Sequence, residues 1–186
     1  SMTKLLPGIP FLKQRYPNKN VGIILCDDDM LYHPSLAADF MHYHKKHPDA
    51  VLGFSGDVVA KAPFYYWNLK TYDARRLWIG KTHKVDFLHG FESILHQTRF
   101  LNFNLLEDTT GYPDYIRRID DEWISFNLAK QNIDRLVCKR QYSKPAMELG
   151  LPDPLNKDCD SINVYYQANF IKTLVSQGEI QPHQYN

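Results

Sequence analysis

The chain has 186 residues and a formal net charge of +1, a length that suits one domain with a sizeable core and a balance that gives no argument for a nucleic-acid surface or an acidic tail. No apolar run approaches the ~20 residues that span a bilayer, and the sequence is read as carrying no signal peptide and no transmembrane segment. Cys26, Cys138 and Cys159 are odd in number and widely spaced, which excludes a disulfide framework and points to a reducing, cytoplasmic compartment.

Residues 1–20 are predicted to hold a short helix ahead of the first strand, closing in a basic, polar turn at Lys13 to Asn20. Next comes Val21-Gly22-Ile23-Ile24-Leu25-Cys26, a short run with adjacent isoleucines that suits a strand buried on both faces of a parallel sheet. It ends abruptly in Asp27-Asp28-Asp29, which then sits at the carboxyl end of a strand, where open α/β sheets place their ligands. Three adjacent carboxylates repel one another, and a bound cation relieves the repulsion. All-oxygen ligands favour a hard divalent ion such as Mg²⁺ or Mn²⁺. The competing reading is a solvated acidic turn.

His33-Pro34-Ser35 reads as a helix start, with Leu36, Ala37, Phe40, Met41 and His44 on one face and Pro48 beyond its end. His42, His44 and His47 suggest a metal set, but His42 and His44 diverge on a helix, so a solvated face is expected. Residues 50–56 and 85–91 are predicted as the second and third strands, with Ile94-Leu95 a bent continuation. Residues 63–79 carry Phe64, Tyr65, Tyr66, Trp67, Tyr72 and Trp78 without a clean period and read as irregular. Residues 98–118 read as loop and short helix. Asp120-Asp121-Glu122 opens a helix with Trp123, Ile124, Phe126 and Leu128 inward, and Asp120 is the expected N-cap. A strand over 135–138, no convincing element over 142–160 and a last helix over 164–175 complete the chain. Alternating strands and helices make this an α/β fold, one domain over residues 1–186.

Four segments, taken in order, resemble a known family: Thr3-Lys4-Leu5, Ile23-Ile24-Leu25-Cys26-Asp27-Asp28-Asp29, Val85-Asp86-Phe87-Leu88-His89-Gly90-Phe91-Glu92, and Asp120-Asp121-Glu122-Trp123-Ile124-Ser125. Together they are similar to the GT-A glycosyltransferases, particularly the family-2-like inverting enzymes of bacteria and large DNA viruses. The resemblance covers residues 3 to about 138. It implies a mostly parallel or mixed sheet flanked by helices, and it makes the Asp run a DXD motif. By resemblance, Asp27 contacts the nucleotide side and shares the metal, Asp28 is the middle position or a sugar contact, and Asp29 ligates Mn²⁺ or Mg²⁺. Lys4 corresponds to a basic position facing the nucleotide. Asp120-Asp121 falls on the family's acidic pair, with Asp121 favoured over Asp120 as general base. Carboxylates in a first helical turn also stabilise the helix dipole, whatever their chemistry. His89 and Gly90 match the segment beside the donor sugar, and Tyr66, Trp67 and Trp123 are acceptor-stacking candidates that core packing would equally explain.

The family's leading strand and helix, which form the base pocket, precede the Thr-Lys-Leu segment, which here comes at residue 3. The chain is therefore expected to lack that unit and to bind nucleotides weakly, with little base preference. The implied function is metal-dependent transfer of a sugar from a nucleotide diphosphate sugar, with inversion, to a glycan, glycoprotein or lipid-linked acceptor. The alternatives are a sugar nucleotidyltransferase, against which no glycine-rich phosphate loop occurs near the first residues, and a carbohydrate-binding or inactive scaffold of the same fold.

Overall fold

The computed structural model describes residues 5–59, 69–73, 81–143, 145–148 and 156–180. Its elements in chain order are α1 (Gly8–Arg15), β1 (Gly22–Leu25), β2 (Met30–Leu31), α2 (Leu36–His44), β3 (Ala50–Gly53), β4 (Ser55–Val59), β5 (Leu69–Asp73), β6 (Thr82–Lys84), β7 (Phe87–Leu88), β8 (Ile94–Gln97), α3 (Phe103–Glu107), α4 (Asp120–Lys130), β9 (Asp134–Cys138), β10 (Met147–Glu148) and α5 (Asn156–Ser176). The main sheet has the order β1-β8-β3-β9-β6. Its β3–β9 pair is parallel and its other pairs are antiparallel, so the α/β fold has a mixed sheet flanked by helices, not a mostly parallel one. A second sheet, β5-β4-β7, is antiparallel throughout, and β10 pairs with β2 as a two-stranded ribbon.

The period of two along each strand divides the core cleanly. Val51, Ile94 and Val137 face one side, where they meet Ile9 of α1 and Ile124 and Leu128 of α4. Their neighbours Leu52, Leu95 and Leu136 face the other side, against Leu36, Phe40 and Tyr43 of α2. A third cluster packs α4 on α5 through Trp123, Phe126, Phe170 and Leu174. α4 is buried from Glu122 to Leu128 because it is wrapped by the sheet on one side and α5 on the other.

Several expectations are corrected. β1 is an edge strand whose Gly22 is exposed and whose Ile23–Leu25 are half-buried, because among the described residues it pairs on one side alone, with β8. The inner face of α2 is Leu36, Asp39, Phe40 and Tyr43, while Met41 is 49% exposed; Asp39 turns inward because its carboxylate accepts the backbone N–H groups of Gln141, Tyr142 and Ser143. The run 50–56 is two strands in two sheets, broken at the buried Phe54. Residues 85–91 hold the short β7 and a 3₁₀ turn over Gly90–Glu92, which Ser93, at φ 80°, separates from β8. Residue 119 is the N-cap of α4, with Asp120 already inside the helix and no side-chain cap. The last helix begins earlier, at Asn156, and Met147–Glu148 forms a strand where none was expected.

His96 sits in the middle of β8, opposite Ile23, fully buried with neither ring nitrogen hydrogen-bonded. Burial pushes its pKa down to about 4, so the folded state holds it neutral. A histidine with a depressed folded pKa contributes no penalty above its unfolded value near 6.5 and destabilises increasingly as pH falls from 6.5 toward 4. The full effect is on the order of 3 kcal/mol. Urea unfolding at pH 7.0 and pH 4.5 is therefore expected to show His96→Leu losing less stability across that interval than the parent chain. Equal losses in the two proteins would mean that His96 is already protonated, or solvated, in the fold.

Candidate active site

The Asp run leaves β1 in a turn and reaches β2, so its three carboxylates are presented on a short bend. Asp27 and Asp29 line a cavity of about 460 Å³ together with Met30, Phe91, Glu92 and Ala146. Asp28 is exposed and lies outside that lining. The bend is fixed by Tyr32, whose hydroxyl accepts the Asp27 N–H at 2.9 Å and donates to the Phe91 carbonyl at 3.0 Å. Burial raises the Tyr32 pKa to about 12, so this relay keeps its proton at any physiological pH.

Across the cavity, the turn after β7 carries His89, Gly90, Phe91 and Glu92. The Gly90 N–H donates to Asp121 Oδ2 at 2.5 Å, which brings the first turn of α4 against the turn that walls the cavity. The approach requires glycine: a Cβ on residue 90 would stand 2.8 Å from Asp121 Oδ1 and 3.2 Å from Oδ2. The group that the missing Cβ admits is the Asp121 carboxylate. Burial, then the neighbouring Asp120, push the Asp121 pKa up to about 6, against the Gly90 N–H and His89, which lower it; Asp27 raises it further. That last influence links the Asp run to Asp121 electrostatically. A carboxylate poised near neutrality and held by one backbone donor has the character of a general base.

His89 is tied inward. Its Nδ1 meets Ser55 Oγ at 2.9 Å and its Nε2 meets Asp57 Oδ2 at 3.2 Å, so both ring nitrogens are committed inside the fold, and Phe91 stacks on the ring. Burial disfavours the imidazolium, but the Asp57 hydrogen bond and the surrounding carboxylates prevail and raise the His89 pKa. Ser55, His89 and Asp57 have the composition of a nucleophilic triad. Ser55 is 2% exposed, however, which excludes it as a nucleophile toward a bound substrate.

Glu122, next to Asp121, is 6% exposed, and burial followed by Asp121 pushes its pKa up to about 8. In the turn itself, Glu92 is buried and paired with Arg140, whose guanidinium also lies over the Phe54 ring at 4.4 Å. Glu92 Oε2 also accepts the Ala146 N–H at 3.3 Å. Removing one partner of such a buried pair costs roughly 3–5 kcal/mol, because the other keeps its charge in the interior without the opposite charge.

The sequence did not single out Ser55, Asp57, Tyr32, Glu92, Glu122 or Arg140. Glu122 carried a signal as the third member of an acidic triplet, and Glu92 as the last residue of the family-like 85–92 segment. Trp123 is corrected: it is 1% exposed, with its indole N–H on the Leu106 carbonyl at 2.9 Å, so no face remains for a ligand. Lys4, Tyr66 and Trp67 lie outside the described residues. His42 is turned to Lys46, and among the described residues no group of three or more His, Cys, Asp or Glu converges as a metal cage. Asp27 and Asp29 nonetheless fit the mode in which a hard ion takes one or two carboxylates and completes its shell with phosphate and water.

Two substitutions test this geometry without an activity assay. Gly90→Ala should displace the Asp121 carboxylate and remove a hydrogen bond that lowers its pKa, so the Asp121 titration followed by NMR should move above 6; an unchanged titration would mean that the contact does not set it. Glu122 is neutral in the fold up to about pH 8 but ionises near 4.5 when unfolded, so its contribution is lost as pH rises through that window. Glu122→Gln should therefore raise the melting temperature at pH 8 relative to the parent and change it little at pH 4.

No protein-family model matches the chain, and comparison with curated proteins likewise finds no match.

Proposed function

We propose that the chain is a metal-dependent glycosyltransferase of GT-A type that moves a sugar from a nucleotide diphosphate sugar to an acceptor hydroxyl with inversion. The observation that carries the reading is one cavity lined by Asp27 and Asp29 and by Phe91 and Glu92, with Asp121 hydrogen-bonded to the adjoining Gly90 of the same turn. Metal chemistry and proton transfer thus have residues of the right type in one neighbourhood.

In this reading Asp27 and Asp29 hold Mn²⁺ or Mg²⁺. When bound, the ion neutralises the charge that develops on the departing diphosphate, as a Lewis acid. Asp121 takes the proton of the acceptor hydroxyl, and its pKa near 6 leaves it ionised at neutral pH yet still basic enough to accept that proton. The Gly90 N–H holds the carboxylate in place. Asp120 raises the basicity of Asp121 rather than replacing it, since its charge is among the causes of the upward shift. Tyr32 keeps the Asp27 end of the cavity at a fixed separation from the Phe91 end. The buried His89–Asp57 pair supports the turn from beneath and offsets part of the negative charge gathered there.

The test is release of nucleoside diphosphate from UDP-, GDP- and dTDP-sugars in Mn²⁺. Asp29→Ala should weaken Mn²⁺ binding in calorimetry and abolish turnover. Asp121→Asn should lower turnover by roughly 10²- to 10⁴-fold with donor affinity little changed. The parent kcat/KM should rise with pH through about 6, as the base loses its proton, and this limb should vanish in the Asn variant. Donor binding without turnover would favour a binding scaffold, and release of inorganic pyrophosphate from a nucleoside triphosphate and a sugar phosphate would favour a nucleotidyltransferase. Equal Mn²⁺ affinity in parent and Asp29→Ala would remove the metal assignment.

A further inference from the structure

A second cavity, of about 380 Å³, opens at the other end of β1 from the Asp run. It is lined by the end of α1 and the turn that follows, with Leu12, Tyr16 and Pro17 as its apolar part, and by Thr98 and Arg99 after β8. Its charged lining is Lys13, Lys19 and Arg99, with no carboxylate among the lining residues. From residue 5 to residue 26 the chain carries Lys13, Arg15 and Lys19 and neither Asp nor Glu.

The three cations differ in state. Arg99 is occupied: its guanidinium donates to the Pro48 carbonyl, to Asp49 and to Gln97. It therefore builds the wall rather than offering a free charge. Lys13 and Lys19 have no carboxylate partner among the described residues, and Lys19 Nζ stands 6.0 Å from the centre of the Tyr16 ring. The wall behind them is stitched together. Asn20 donates to Gln97 at 2.6 Å and accepts the Arg99 N–H at 3.3 Å, while the Val21 N–H donates to Thr98 Oγ1 at 2.9 Å. A pre-formed concavity with an apolar portion and two uncompensated ammonium groups is suited to a small ligand with a doubly charged head. Phosphate meets that description, and lysine binds it as a point charge. The aromatic face of Tyr16 suits a flat or apolar substituent on the phosphate.

We propose that this cavity binds a phosphate monoester, with Lys13 and Lys19 holding the dianionic head and Leu12, Tyr16 and Pro17 receiving the apolar part. The site is separate from the acidic cavity and does not depend on the function assigned to it. The monoester can be a soluble molecule or the head of a lipid such as phosphatidic acid, and the two sources are separable by experiment.

The probes are inorganic phosphate, phenyl phosphate, and vesicles of phosphatidylcholine with or without phosphatidic acid, each tested without added metal. Phenyl phosphate is expected to bind more tightly than inorganic phosphate, with affinity falling as salt rises. The double variant Lys13→Gln/Lys19→Gln should weaken binding by roughly tenfold or more, consistent with loss of two charge contacts. The double Lys→Arg variant should restore most of it, and Asp29→Ala should leave it unchanged. If the phosphatidic acid vesicles bind with the same lysine dependence and more tightly than phenyl phosphate, the physiological source is a lipid head. If phenyl phosphate is the tighter, the source is soluble. Binding that survives the Gln variant, binding lost in Asp29→Ala, or no binding of either monoester by the parent chain overturns the proposal. The lysines are exposed, so a circular dichroism melt that matches the parent confirms that the Gln variant is folded.

Discussion

The candidate site is organised around the five residues 89–93, each of which is tied to a different part of the chain. Ser55 and Asp57 of β4 hold His89 from below. Asp121 of α4 takes the Gly90 N–H, and Tyr32, after the Asp run, takes the Phe91 carbonyl. Arg140, beyond β9, pairs with Glu92, and Ser93 Oγ donates to the Leu25 carbonyl of β1 at 2.7 Å. Ser93 itself sits at φ 80°, a conformation that a non-glycine residue adopts only when its surroundings over-determine it. A turn fixed at five points can hold a carboxylate and a cavity wall in register. A turn fixed at one could not.

That arrangement concentrates ionisable groups in a place where water is scarce. Asp57, Asp121 and Glu122 gather around His89, and burial is the largest cause of the raised pKa of both Asp121 and Glu122. Such burial opposes folding at neutral pH, and the offset comes from the apolar clusters on both faces of the sheet and around α5. A core needing only stability would place apolar side chains at these positions. Their placement behind the turn whose Phe91 and Glu92 line the acidic cavity is what gives the active-site proposal its physical basis. His96, by contrast, is buried with no hydrogen-bond partner among the described residues, and its burial is relevant to acid stability rather than chemistry.

β1 separates two surroundings of opposite sign. At its carboxyl end lie Asp27 and Asp29 beside a cavity, and at its amino end lie Lys13 and Lys19 beside another. A net charge of +1 conceals this polarity, because the two groups cancel in the sum. Neither group is long enough in sequence to count as a charge run. Only the pairing of β1 with β8, which places Thr98 and Arg99 beside the basic turn and residues 91–92 beside the acidic one, turns them into two separate cavities.

The sequence by itself determined the α/β class, the strand that delivers the Asp run, the helix that begins at Asp120 and the inward face of Trp123, Ile124, Phe126 and Leu128. These are local matters of apolar period and strand-ending polar residues, and they are legible within ten or so positions. Tertiary structure decided the rest. That β1 is an edge strand and that its partner β8 runs antiparallel depend on pairings across more than 65 residues, which no local pattern encodes. Asp39 and Glu92 are carboxylates whose burial no local pattern announces. They are buried because distant donors, the 141–143 backbone and Arg140, satisfy them. Gly90 is legible as a glycine but not as the neighbour of Asp121, 31 residues away, since the demand for a missing Cβ arises only when α4 packs on the 89–92 turn. Pro145 and Ala146, which carry no recognisable motif, wall the acidic cavity because two ribbon strands and one buried ion pair bring them there.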